Sequence, residues 1–123
     1  MKYLALSLAV ALSGIAAVAD SSAQAMLQIR VLPAKPKAGA TATLFGRFSP
    51  GPVAPDCNVR VDFGDDTPER DVHIKEPTEL PLNVEHVYAQ AGDYVVAARP
   101  MPRGTVPACG GGNHSTLIEV LAP

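Results

Sequence analysis

Between residues 26 and 121 apolar side chains recur at every second position in short runs, and proline or glycine cuts each run. A period of two belongs to a strand with one face buried. Nowhere does the same region hold the 3.6-residue period of a helix. Leu27, Ile29 and Val31 alternate with Gln28 and Arg30 until Pro33-Ala34-Lys35-Pro36 stops the run. Residues 41–48, entered through Ala38-Gly39, form a second predicted strand. Val59, Val61 and Phe63 alternate with Arg60 and Asp62 in a third, which ends at Gly64-Asp65-Asp66. Val72 and Ile74 give a short edge strand. Leu80, Leu82, Val84, His86 and Tyr88 share a face, and Pro81 keeps the start of that run at a sheet edge. Tyr94, Val96 and Ala98 share another face. Thr116, Ile118 and Val120 close the series, with Glu119 outward.

Seven or so short strands joined by turns predict an all-β, immunoglobulin-like sandwich of antiparallel strands. Twelve prolines and ten glycines agree with that class and oppose long helices. Residues 1–25 stand apart. Lys2 supplies a positive start, residues 4–19 are apolar except for Ser7, Ser13 and Gly14, and Asp20-Ser21-Ser22 is polar. Ala23-Gln24-Ala25 then has the small-x-small form that a signal peptidase cleaves. The expectation is a cleavable export signal over 1–25 and one domain over 26–123. The apolar run is shorter than the roughly 20 residues that span a bilayer, and no cysteine sits at the cut to carry a lipid. The mature chain is therefore expected to float free, secreted or periplasmic, without membrane insertion. A net charge of −2 leaves no basic face for nucleic acid.

Two cysteines in an exported chain, Cys57 and Cys109, most simply form one disulfide. A metal site lacks ligands: no second cysteine pair exists, and His73, His86 and His114 share no ligand spacing. A redox role lacks its Cys-x-x-Cys. Closing so long a loop is worth about 4 kcal/mol in the chain-entropy model.

At Val61-Asp62-Phe63-Gly64-Asp65-Asp66, with His86-Val87-Tyr88 and Gly92-Asp93-Tyr94-Val95-Val96 downstream, the chain resembles the PKD (polycystic kidney disease) domain family. That family's pattern runs W-x-F-G-D-G, H-x-Y, G-x-Y-x-V. The resemblance covers residues 27–121. Val61 stands where the family usually has Trp, and Asp66 where it usually has Gly. The resemblance implies an immunoglobulin-like fold in which Phe63, Gly64, Asp65, His86, Tyr88, Gly92 and Tyr94 are structural. It implies an extracellular binding or spacer module without one shared ligand. Read on their own, the same residues agree. Tyr94 is placed for a tyrosine corner, His86 lies on an apolar face as a hydrogen-bonded core histidine, and the Asp65 turn bonds its local backbone.

Other motifs lead nowhere. Asp62-Phe63-Gly64 spells the magnesium triplet of kinases, but no phosphate loop accompanies it. Asp62, Asp65, Asp66, Glu69 and Asp71 crowd ten residues without calcium-loop spacing, beside Arg60 and Arg70, and are expected to be a solvated turn. Ser21, Ser22, Ser49 and Ser115 lie in no nucleophile context, so no enzyme, cofactor or metal is expected. Asn113-His114-Ser115 fits a glycosylation sequon.

One topological expectation remains. In this fold the third strand pairs antiparallel with the strand from Tyr94, so Cys57 lies near the loop after Arg99. A Cys57–Cys109 bond then ties the 49–56 loop to the 100–114 loop, the B–C and F–G loops that recognise ligands in antibody domains. Met101, Arg103 and Val106 are the candidate contacts. The expected function is a non-catalytic exported module that meets a protein or glycan at this stapled end. Two rivals are a protease inhibitor presenting the 100–114 loop and a passive envelope component.

Overall fold

The computed structural model describes residues 25–49, 56–76 and 79–123. The expected export signal, up to its last residue, and most of the 49–56 loop fall outside the described residues. Among the described residues seven strands form: β1 (Met26–Leu32), β2 (Thr41–Phe48), β3 (Cys57–Asp62), β4 (Arg70–Ile74), β5 (Leu82–Val87), β6 (Gly92–Pro100) and β7 (His114–Val120). They make two antiparallel sheets, β1-β2-β5 and β4-β3-β6-β7. Each sheet turns its apolar positions inward. Val31, Ala42, Leu44, Leu82 and Val84 from the first meet Val59, Val61, Val96, Ala98, Ile118 and Val120 from the second. β4 and β5 are edge strands, as the short run at Val72 and the proline at 81 lead one to expect.

Two sequence expectations need correction. The run from Leu80 does not start as a strand, since β5 begins at Leu82 and leaves Leu80 packed against the core from a loop. Leu27 is not a core residue. The β1–β2 register slips between Met26 and Gln28, so Leu27 is the extra residue of a bulge. Beyond a bulge the alternation changes face: Met26 is buried at 1 % exposure and Leu27 is 43 % exposed.

β3 runs from Cys57 toward the Asp65 turn, and β6 runs back, pairing Val61 with Ala98 and Val59 with Pro100. The sandwich therefore has two unlike ends. One holds Cys57, the 101–113 segment and the start of β1. The other holds the acidic turn and the residues around Tyr88.

Candidate functional site

The stapled end is built on the first two residues of β3. Cys57 and Cys109 are bonded, with Cα atoms 4.8 Å apart, within the range of about 4.4–6.8 Å that a disulfide spans. Beside them the Asn58 backbone holds the loop. Its N–H donates to the Pro107 carbonyl at 2.8 Å, and its carbonyl accepts from Met101 at 3.3 Å and Cys109 at 3.2 Å. Residues 101–109 thus fold over the outward face of β3. Asn58 shares that face with Arg60 and Asp62, yet it is fully buried. Its Nδ2 donates to Asp71 Oδ1 at 3.0 Å and to the Met101 carbonyl at 2.9 Å. Two acceptors on one nitrogen fix the orientation of the amide. Its Oδ1 has no partner among the described residues.

Beyond Met101 the segment closes into a tight turn. Arg103 and Val106 exchange backbone bonds of 2.9 Å in both directions, and Gly104, at φ +60°, takes a conformation that favours glycine. Met101 and Val106 are half-buried, and Arg103 is exposed at the tip. The 100–114 segment, expected as a long loop stapled through Cys109, is a shaped projection tied at both ends.

The start of β1 completes this end. Met26 N–H donates to the Gly110 carbonyl at 2.9 Å, and the His114 ring donates from Nε2 to the Met26 carbonyl at 2.8 Å. Gly111, at φ +103°, lies so close to the Met26 backbone that a Cβ there would collide with it. Ala25 donates to Ser49 Oγ at 3.0 Å and accepts from Ser49 N–H at 2.8 Å. The expected signal cut between Ala25 and Met26 therefore falls between two residues that both bond to the stapled end.

The five acidic residues from Asp62 to Asp71 do not gather into one turn, which corrects the expectation of a single solvated cluster. Asp62 and Asp65 bond the turn, through Gly64 N–H at 2.8 Å and the Thr67 hydroxyl at 2.6 Å. Glu69 and Asp71 lie past the reversal of the chain, beside Arg60 and Arg99 of β3 and β6. Arg99 meets Glu69 at 2.8 Å and Arg60 meets Asp71 at 3.1 Å. Among the described residues no three His, Cys, Asp or Glu side chains converge as metal ligands do. The hydrogen bonds from Arg60 and then Asn58 hold the Asp71 carboxyl below its usual range. Burial opposes ionisation of Asp65, but bonds from Thr67 and His86 outweigh it and lower its pKa as well. A depressed folded-state pKa gives stability that is present above the unfolded value, about 3.9, and lost as pH falls through the folded one. The melting temperature is accordingly expected to drop as pH is lowered below about 4, and less steeply in the Asp65→Asn, Asp71→Asn double variant. An equal slope in both proteins would contradict the assignment.

The residues that carry the family resemblance assemble at the opposite end. Phe63 stacks on His86 at 4.2 Å between centroids and meets Tyr88 edge-on at 6.2 Å. Tyr88 is fully buried, lies 4.7 Å from Tyr94, and donates to the Phe63 carbonyl at 2.9 Å. Its burial, and then the charge of Asp65, push its phenol pKa upward. His86 is bracketed: Arg70 Nη2 lies 3.0 Å from Nδ1 and Asp65 Oδ2 lies 2.7 Å from Nε2. An arginine only donates, so Nδ1 accepts and Nε2 carries the proton shared with Asp65. Gly64 is required at φ +79°, because a Cβ there would strike the Val95 carbonyl. Tyr94 donates to the Gln90 carbonyl at 2.8 Å, the tyrosine corner expected of it, and Gly92 sits against its ring. All seven motif residues therefore belong to one structural cluster, away from the loop of Met101, Arg103 and Val106.

Sequence reasoning missed Asn58, His114 and Arg70. Asn58 sits on the outward phase of β3, and only the returning loop buries it, which no alternation reveals. Nothing in the sequence marks Met26 as the backbone that Gly111 approaches. No family model, curated protein or solved structure matches the chain. The disulfide belongs to a chain that folds in a non-reducing environment. Among the described residues no helix is long and apolar enough to cross a membrane.

Proposed function

We propose that this chain is a secreted or periplasmic, non-catalytic binding module of the immunoglobulin-like, PKD type, and that it meets a protein or glycan partner at its stapled end. The observation that carries the reading is the fixation of the 101–109 segment by one disulfide and three backbone bonds to Asn58. A loop already held in one shape loses little entropy when it binds. The projection carries an exposed guanidinium, Arg103, between half-buried Met101 and Val106. Arginine and methionine are enriched at interface cores, whereas the Asp and Glu of the other end are depleted there. The non-catalytic part rests on His86, which is buried and committed to Asp65, Arg70 and Phe63.

The inhibitor reading fits less well. An inhibitor that mimics a substrate lays an extended strand against its target, and the closed Arg103–Val106 turn is not extended. The test is affinity capture from extracellular or envelope extract, together with a glycan array, using the exported domain as probe. A parallel probe carries Arg103→Ser and Val106→Ser, which alter the tip and keep the staple. A partner retained by the first probe and lost by the second supports the reading. Equal retention by both refutes it, and inhibition of a protease panel by the unaltered domain favours the rival.

A further inference from the structure

The outward face of the β4-β3-β6-β7 sheet is ordered in rungs that are complementary to themselves. The register places Asp93 beside Glu119, Val95 beside Leu117, and Ala97 between Asp62 and Ser115. Arg99 lies beside Arg60, which lies beside Asp71. Along β6 the face therefore runs acidic, bulky apolar, small, basic. Val95 and Leu117 are 55 % and 69 % exposed, the two most exposed large apolar residues among the described ones. Asp93 makes no salt bridge among the described residues, whereas Glu119 has Lys35 at 3.5 Å. A shallow depression bounded by Ala34, Lys35 and Leu117 opens beside Asp93.

We infer that this face pairs with a second copy of the chain about a two-fold axis lying between the sheets and perpendicular to the strands. Such an axis reverses strand direction and keeps β6 over β6 and β7 over β7. It passes midway between the bulky rung and the small rung. Val95 then meets the partner copy's Ala97, and Leu117 meets its Ser115, so large side chains rest on small ones. At the two ends Asp93 faces Arg99 of the other copy, twice by symmetry, as an isologous interface requires. Arg99 keeps N–H groups for this, since its bond to Glu69 uses Nη2. Two sheets packed face to face stand about 10 Å apart with strands about 30° from parallel, a spacing that side chains of these sizes fill.

Size sets the strength. From Asp93 to Arg99 is six residues, about 20 Å of strand, and the patch is narrow, so it covers less than the roughly 800 Å² per partner of a stable complex. The pairing is a weak, reversible one. It points the two stapled ends in opposite directions.

Sedimentation equilibrium of the exported chain over a wide concentration range, at low salt, tests this. A reversible monomer–dimer equilibrium is expected. Leu117→Arg should raise the dissociation constant at least about tenfold and leave the melting temperature unchanged, because Leu117 is mostly exposed. Asp93→Arg and Arg99→Asp should each weaken the dimer by placing like charges opposite one another, and the double variant should restore it. Added salt should weaken it too. A chain monomeric at every concentration overturns the inference. So does a dimer indifferent to Leu117→Arg, or a double charge swap that fails to recover association. None of these results bears on the tip of the 101–109 segment, so failure here leaves the loop-end reading untouched.

Discussion

Replacing Cys57 and Cys109 together by alanine is expected to lower the stability of the domain by about 4 kcal/mol. The bond closes a loop with a sequence separation of 52, and the unfolded chain regains that freedom when it is removed. For a domain of this size such a loss is a fall in melting temperature of roughly 15–30 °C. It is a large share of the roughly 5–15 kcal/mol that domains usually have. There is a local effect as well. Without the bond, residues 101–109 keep their backbone bonds to Asn58 and the Asn58 Nδ2 bond to the Met101 carbonyl, ties weaker than a covalent link, so the segment should open before the sheets do. Thermal melts followed by circular dichroism measure the global part, and limited proteolysis mapped by mass measures the local part. A drop of only a few degrees, with the 101–109 segment still resistant, would contradict both.

Phe63→Ala is expected to cost about 3–5 kcal/mol, although no bond is broken in the process. The ring is 2 % exposed, lies flat against His86, touches Tyr88 edge-on, and carries the Arg70 guanidinium 5.2 Å from its centroid. Its removal leaves a cavity and uncovers the Asp65–His86–Arg70 chain of hydrogen bonds. Tyr94→Phe makes the contrast. It deletes one exposed bond to the Gln90 carbonyl and should cost about 1 kcal/mol. Urea titrations of the two variants check the order. Equal losses would mean that packing on Phe63 is not what holds this end together.

The seven strands were legible because period-two alternation survives wherever a strand buries one face, as in β3 and β7. It failed at Leu27, where one inserted residue in β1 exchanges inside for outside. The disulfide was legible from cysteine parity, and its position at one end of the sandwich from the antiparallel pairing of β3 with β6. Asn58 was not legible, because a loop from forty residues downstream covers it. The acidic run misled for a related reason: five residues adjacent in sequence are divided by a chain reversal between a turn and a sheet face. The rungs of the outer sheet face needed the cross-strand register, which one strand read alone does not contain.

The most direct test of recognition at the stapled end compares its two ends in one titration. Once a partner has been captured, its dissociation constant is measured for the unaltered domain, for Arg103→Ser with Val106→Ser, and for Asp65→Asn with Asp66→Asn. The expected result is binding at least about tenfold weaker for the tip variant and nearly unchanged for the acidic variant. Binding abolished by the acidic substitutions and untouched by the tip substitutions would place recognition at the other end of the molecule.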